Sequence, residues 1–381
     1  MKLKNININR SSAKSWLELS LINKLGPKTI LKLLEHFQSV DNIFMQNASV
    51  LEKYTNKIVA QSICSRASAL NVDIALKWQQ NGQNRHIISI EDEIYPKELI
   101  EISDPPIVLY LEGDINLLRN NKIAMVGTRH PTTQGTENAM HFARDISNNR
   151  FTVVSGVAAG IDRFAHLGSL SGASSTIGVV GTGIDVFYPK TNIDIYEKII
   201  SKGLLISEYP IGSRPIPQNF PRRNRIITGL SLGVVVVESA IDGGSLISAN
   251  LALEMGREVM AIPGSIYNPV AKGCHKLIKS GAKLVENVRD ILDEITVFNT
   301  TSNIINDTQL QQNLLQLDID PILNIMGYDE ISIDKICAHA KQEFADICAK
   351  LLEFELSGLI VNCGNGYYQR IHSSSLKPRR Y

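Results

Sequence analysis

The sequence predicts an α/β protein built on a doubly wound, mostly parallel sheet, with a small helical domain before it and a winged-helix domain after it. Three observations predict this. From Lys122 to Gly264, short and nearly all-apolar runs alternate with amphipathic segments, as in a parallel sheet covered by helices on both faces. Glycine-rich stretches follow almost every such run, where tight βα turns fall. Residues 12–70 and 313–371 lack the alternation and show helical spacing instead.

A chain of 381 residues exceeds one ordinary core and implies two or three domains. With 44% hydrophobic and 20% charged residues it is a folded, soluble type of composition. A formal net charge of +1 means that any nucleic-acid site must be a local patch. The opening MKLKNININR lacks the apolar core of a signal peptide, and no run is long enough to span a bilayer. No membrane partner is therefore expected, and a cytoplasmic location is. The five cysteines are odd in number, scattered and free of any C-x-x-C pair, so neither a disulfide framework nor a zinc site is indicated.

Residues 1–70 read as short helices. WLELSLI (16–22) and KTILKLLEHF (28–37) flank Gly26-Pro27, which resembles a helix-hairpin-helix or SAM-like module able to offer turn N–H groups to a phosphate. The plainer reading, a helical packing domain, is preferred, because the turn has one glycine and the region carries acids as well as lysines. Residues 71–295 form the extended Rossmann-like domain. HIISI (86–90) and IVLYLEG (107–113) are strands, separated by proline punctuation. KIAMVG (122–127), TVVSG (152–156), TIGVVG (176–181), LLISE (204–208), GVVVVES (233–239) and EVMAIPG (258–264) are the strands of the alternating region. Residues 296–312 are polar and amide-rich and read as a linker. Residues 313–371 give three helices and a hairpin turning at Gly364-Asn365-Gly366, a winged helix. Residues 372–381 read as a disordered tail.

Ligands of open parallel sheets bind beyond the carboxyl ends of the strands, so residues just after each run carry the function. These are GTR (127–129), SGVAAGID (155–162), GTGID (181–185), PRRNR (221–225), ESAIDGG (238–244) and the loop containing Lys272. Any one glycine only makes a turn. Together with Arg129, Arg222, Arg223 and Arg225 they indicate an anion-binding rim. No G-x-G-x-x-G follows the first strand of the alternating region, and G-x-x-x-x-G-K-[ST], H-E-x-x-H and G-x-S-x-G are missing, so no cofactor is predicted. Asp162 and His166 are spaced i,i+4 and read as a hydrogen-bonded structural pair rather than a catalytic one. Guanidinium forks beside backbone donors suit the phosphates of a polynucleotide. On a helix Arg222 and Arg225 share a face and Arg223 points elsewhere, towards an acidic neighbour. Phe220, Tyr188 and Tyr209 are available for base stacking. The third helix of the winged module is acidic, with Glu343, Asp346, Glu353 and Glu355 against Lys350 alone, which suits a protein contact better than a major groove.

GTR (127–129), SGVAAGIDRFAH (155–166), GTGIDVFYPKTN (181–192), SEYPIG (207–212), FPRRNRIITGLS (220–231), VVVESAIDGGSLISANLALEMGREVMAIPG (235–264) and KGCHKLIKSGAKLV (272–285) resemble the DprA/Smf family of DNA-processing proteins, nearly end to end across the central domain. The resemblance implies a non-enzymatic, cytoplasmic homodimer that binds incoming single-stranded DNA, protects it and loads the recombinase RecA in natural transformation. Carried over by motif, its DNA pocket comprises Arg129, Ser155, Gly156, Arg222, Arg223, Asn224 and Arg225, with Lys272 or Lys276 beside them. Thr128 and Thr228 stand where serine is common, which keeps a hydroxyl; His275 stands where asparagine is common. Two other readings compete. Glu238 and Asp242 could serve as acid and base on a ribosyl bond, as in nucleoside-monophosphate phosphoribohydrolases, although their P-G-G-x-G-T pattern is missing. A scaffold acting through its two small domains is the third.

Overall fold

The computed structural model describes residues 13–296, 320–340 and 342–371. The predicted tail and nearly all of the predicted linker fall outside these residues. Six helices come first: α1 (Ala13–Ser20), α2 (Pro27–Phe37), α3 (Val40–Phe44), α4 (Ala48–Leu51), α5 (Lys57–Cys64) and α6 (Ala69–Gln80). Their apolar faces meet in a core of Trp16, Leu19, Ile30, Leu33, Ile43 and Ile63. Gly26 and Pro27 simply start α2, with Thr29 and Ile30 N–H bonded to the Gly26 carbonyl. Helix α6 runs past residue 70, where the sequence reading placed the domain boundary. Val72, Ala75 and Trp78 are buried on its inner face, with Leu76 packed against the same core.

The central domain holds nine strands in one sheet. In chain order they are β1 (Arg85–Ser89), α7 (Lys97–Ile100), β2 (Val108–Gly113), β3 (Lys122–Val126), α8 (Thr133–Asn148), β4 (Thr152–Ser155), α9 (Ile161–Leu170), β5 (Thr176–Gly183), α10 (Ile193–Lys202), β6 (Leu204–Tyr209), α11 (Asn219–Leu230), β7 (Gly233–Val236), α12 (Ser245–Glu254), β8 (Glu258–Ala261), α13 (Lys272–Lys279), β9 (Lys283–Leu284) and α14 (Val288–Thr296). The spatial order is β1-β2-β6-β5-β4-β3-β7-β8-β9. Strands β3 to β9 are parallel, and β1 and β2 add an antiparallel edge on β6. Both faces are covered, as all-apolar strands require. Ile123 and Met125 of β3 face α8, α9 and α14, where Phe142, Ile146, Ala165 and Ile291 lie. The alternate residues Ala124 and Val126 face the core that holds Ile226, Ile227, Ala249 and Cys274. Lys122, at the start of β3, is buried; its ammonium donates to the Leu118 and Asn120 carbonyls and pairs with Glu98.

The last module contains α15 (Pro321–Met326), β10 (Ile331–Ser332), α16 (Ile333–Ala340), α17 (Phe344–Leu356), β11 (Ile360–Gly364) and β12 (Tyr367–Arg370). The sheet order β10-β12-β11 and a core of Ile322, Ile336, Ile347, Leu351 and Phe354 make it a winged helix. Gly364, Asn365 and Gly366 all have positive φ (88°, 52° and 77°), which explains the turn residues chosen there.

Candidate nucleic-acid interface

The chain crosses from β3 leftwards through β4, β5 and β6, then returns to β7, β8 and β9 on the other side of β3. The switch point therefore lies between β3 and β7, where doubly wound proteins commonly bind ligands. Here that crevice is acidic. The buried Glu238 carboxylate accepts from Thr132 N at 2.9 Å and Thr132 Oγ1 at 2.5 Å, at the start of α8. A Cβ on Gly135 would come within 2.3 Å of the same carboxylate, so that helix turn sits directly on it. Asp329, Glu330 and Gln369 of the winged helix line the remaining cavity of about 300 Å³, and Thr133 Oγ1 lies 3.9 Å from Cys363 Sγ. Burial raises the Glu238 carboxyl above its usual range. Asp242 is exposed and does not line this cavity, so the acid–base pair of the enzyme reading is not brought together.

The loops at the same sheet edge are stitched into a continuous rim. Thr128 N donates to Glu238 O at 2.8 Å, joining the loops after β7 and β3. Ile161 N donates to Thr128 O at 3.1 Å, joining those after β3 and β4. Asn192 Nδ2 donates to the Val157 and Ala158 carbonyls at 3.1 and 2.9 Å, joining those after β4 and β5. Gly183 N donates to Ser213 O at 2.9 Å, joining those after β5 and β6. Gly160, at φ +79°, is needed where the first two loops meet, because a Cβ there would lie 2.3 Å from Thr128 O. Val157, a β-branched residue, is held at φ +56°, a strained conformation at the centre of this rim.

Exposed cations stand on this rim: Arg129 after β3, Lys190 after β5, Arg214 after β6 and Arg222 on α11. Arg163 is spent internally, in a bidentate pair with Asp194 at 2.8 Å that pins the Lys190 turn against α9. Tyr188 is exposed and its ring lies 5.5 Å from that of Phe220, which packs under Gly181. Tyr209 donates its hydroxyl to Asn219 O and is half-buried.

The arginine cluster itself is turned mostly inward. Arg223 is buried and donates to the Gly156 and Val179 carbonyls, and a Cβ on Gly156 would be 2.4 Å from its Nη1. The expected ion pair of Arg223 with an acidic neighbour is replaced by these carbonyl bonds, with the Asp162 charge nearby. Arg222 and Arg225 do share a face, and that face meets acids: Arg225 pairs with Glu208 and Asp104, and both lie 3.8 Å from Arg222. Arg225 is 7% exposed against 46% for Arg222, so Arg222 alone of the three reaches solvent. Burial raises the Glu208 carboxyl against the pull of Arg225 and Arg222. Ser155 is fully buried and donates to Met125 O at 2.7 Å, and Gly156 is buried beneath Arg223, so neither offers an exposed contact. Asn224 is half-buried, with its carbonyl bonded by Thr228 Oγ1. Lys272 and Lys276 are exposed on α13, beyond β8 and across the switch point from α11.

Asp162 and His166 also part company. Asp162 accepts from Gly156 N and Ala158 N, holding the strained loop. His166 contacts Thr176 Oγ1 at 2.8 Å, and Thr176 itself donates to Val153 O, so the histidine Nδ1 carries the proton. Burial, with the Arg223 charge, holds His166 down at about 3, so it is neutral. Asp104 and Glu208 went unassigned in the sequence; the available signal was an acid ending the apolar run LLISE.

A family model described as DNA recombination-mediator protein A matches residues 86–296, and one described as the DprA winged helix domain matches residues 308–366. The chain belongs to the DprA/Smf family. It is 45% identical to DNA processing protein DprA of Streptococcus pneumoniae over 271 residues, 71% of this chain and 94% of that protein. It is 35% identical to protein Smf of Escherichia coli over 361 residues, 92% and 94% of the two chains. The X-ray structure of the Streptococcus pneumoniae DprA superposes with a TM-score of 0.67 at 36% identity, covering 75% of this chain and 99% of that one. A Helicobacter pylori DprA structure described for its single-stranded DNA binding mode matches with a TM-score of 0.51 at 29% identity, covering 56% and 97%. The match to the Escherichia coli Smf takes in nearly the whole chain. No helix among the described residues is long and apolar enough to cross a membrane.

Proposed function

We propose that this DprA/Smf protein binds single-stranded DNA without sequence preference along the stitched rim. Arg129, Lys190, Arg214 and Arg222 meet phosphates, Asn224 lies beside them, and Tyr188 offers a face for base stacking. Ser155, Gly156, Arg223 and Arg225 hold the loops in place rather than touch DNA. Lys272 and Lys276 extend the path past the switch point. The observation that carries this reading is the chain of exposed cations on loops tied to one another at the carboxyl edge of one sheet. The single-stranded DNA binding mode described for the Helicobacter pylori relative supports it. In keeping with the family, the protein acts as a cytoplasmic homodimer, without catalysis, and hands its DNA to RecA during transformation.

Anisotropy of labelled oligo(dT) and of a duplex of equal length, over a salt series, tests the binding. Tight, steeply salt-dependent binding of the single strand over the duplex is expected. Equal affinity for both, or affinity indifferent to salt, contradicts the reading. RecA filament formation on DNA coated with single-strand-binding protein, with and without this protein, tests the loading step separately.

A further inference from the structure

Helix α17 holds the position of a recognition helix, yet its outward face is wrong for DNA. Its inward stripe is Ile347, Leu351 and Phe354, all buried. On the opposite side Ala345, Ala349, Leu352 and Leu356 recur at steps of four, three and four, the spacing of a coiled-coil seam. All four are exposed, Leu352 at 58% and Leu356 at 77%. Two half- to mostly exposed leucines in line with two alanines on one solvent-facing stripe mark a contact surface rather than scattered apolar residues. The seam is flanked by acids. Asp346 and Glu353 lie along one border, Glu355 towards the other, and the helix's single cation, Lys350, is held by Asp320 at 2.9 Å.

We propose that this face of α17 docks a basic amphipathic helix of a partner protein, whose leucine-type residues fill the seam while its lysines or arginines meet the flanking carboxylates. The charge selects this occupant. A second copy of α17 would set like-charged borders against each other, and the phosphates of duplex DNA would meet the same carboxylates. This surface is separate from the rim that is proposed to hold single-stranded DNA, so the winged helix recruits while the central domain binds.

The test uses the full chain and a labelled peptide of about three heptads, with leucines at the seam positions and lysines beside them. Its control keeps the leucines and carries glutamates instead. We expect the basic peptide to bind at least about tenfold tighter than the acidic one, and Leu352→Glu with Leu356→Glu to weaken it about tenfold or more. Oligo(dT) binding by that variant should stay within about twofold of the parent, because the substituted side chains are exposed and are not among the proposed phosphate contacts. Glu353→Lys with Glu355→Lys keeps the leucines and should reverse the preference between the two peptides. Equal binding of both peptides, or unchanged affinity in the leucine variant, overturns the proposal. So does loss of self-association in the leucine variant, read by sedimentation, which would assign the face to a second copy. Loss of duplex binding in that variant would assign it to DNA and overturn it equally.

Discussion

Arg129, on the loop after β3, and Arg225, on α11, carry the same charge, yet the fold treats them oppositely. Arg129 stands exposed on the loop after β3, whereas Arg225 is buried against Glu208 and Asp104. The difference lies in what each meets. A guanidinium pressed against a core needs carboxylates or carbonyls within reach, and α11 finds both. Once so engaged, it has little left to offer a phosphate. The dense arginine run is thus largely buried framework of the rim, whereas the sparser cations on the loops stay exposed, which is why the proposed phosphate contacts are assigned to them.

The sharpest way to break this comparison is Arg223→Ala. It strips two buried carbonyls of their donor and leaves the buried Asp162 without the nearby cation, so a loss of about 5 kcal/mol in urea unfolding is expected. Lysine cannot reproduce the fork and should not restore the loss. Arg225→Ala comes next, at about 3 kcal/mol, because Glu208 stays buried without its closest partner. A change near zero in either variant, by the same unfolding measurement, would place that arginine outside the frame.

A smaller effect concerns His166, under the same loop. Its folded value of about 3 lies below the ordinary 6.5, so the unfolded chain takes up a proton that the folded chain refuses. Its contribution is fully present above pH 6.5 and is lost as pH falls below it, by about 1.4 kcal/mol per unit. Comparing the pH slope of unfolding in the parent and in His166→Asn isolates this term. Identical slopes would show that the histidine protonates within the fold.

Much of the architecture was legible because apolar strands and amphipathic helices announce themselves by period. The GTR, SGVAAGID and GTGID stretches fall at strand ends as read, and the Gly-Asn-Gly turn of the winged helix was visible from its residues. The inward turn of the arginines was not. Arg225 meets an acid 17 residues away and another from the Asp104 loop, and such partners follow only from topology. The left-handed Val157 has no local signal either, since a β-branched residue is the last choice for that conformation. Helical geometry did predict that Arg222 and Arg225 share a face; what that face would meet was beyond it. Lys190 and Arg214 carry no local sequence signal, because single cations in loops look like ordinary surface.

If phosphates meet the exposed rim cations, the buried Arg225–Glu208 pair contributes nothing to the salt dependence of binding. The slope of log affinity for oligo(dT) against log salt tests this in two variants. Arg129→Gln with Lys190→Gln removes rim charge, and Arg225→Met with Glu208→Leu replaces the buried pair with apolar groups of similar size. The expected slope is shallower by about 1.4 in the first, two contacts at about 0.7 each, and unchanged in the second. A shallower slope only in the second variant, with the first indistinguishable from the parent, would contradict it.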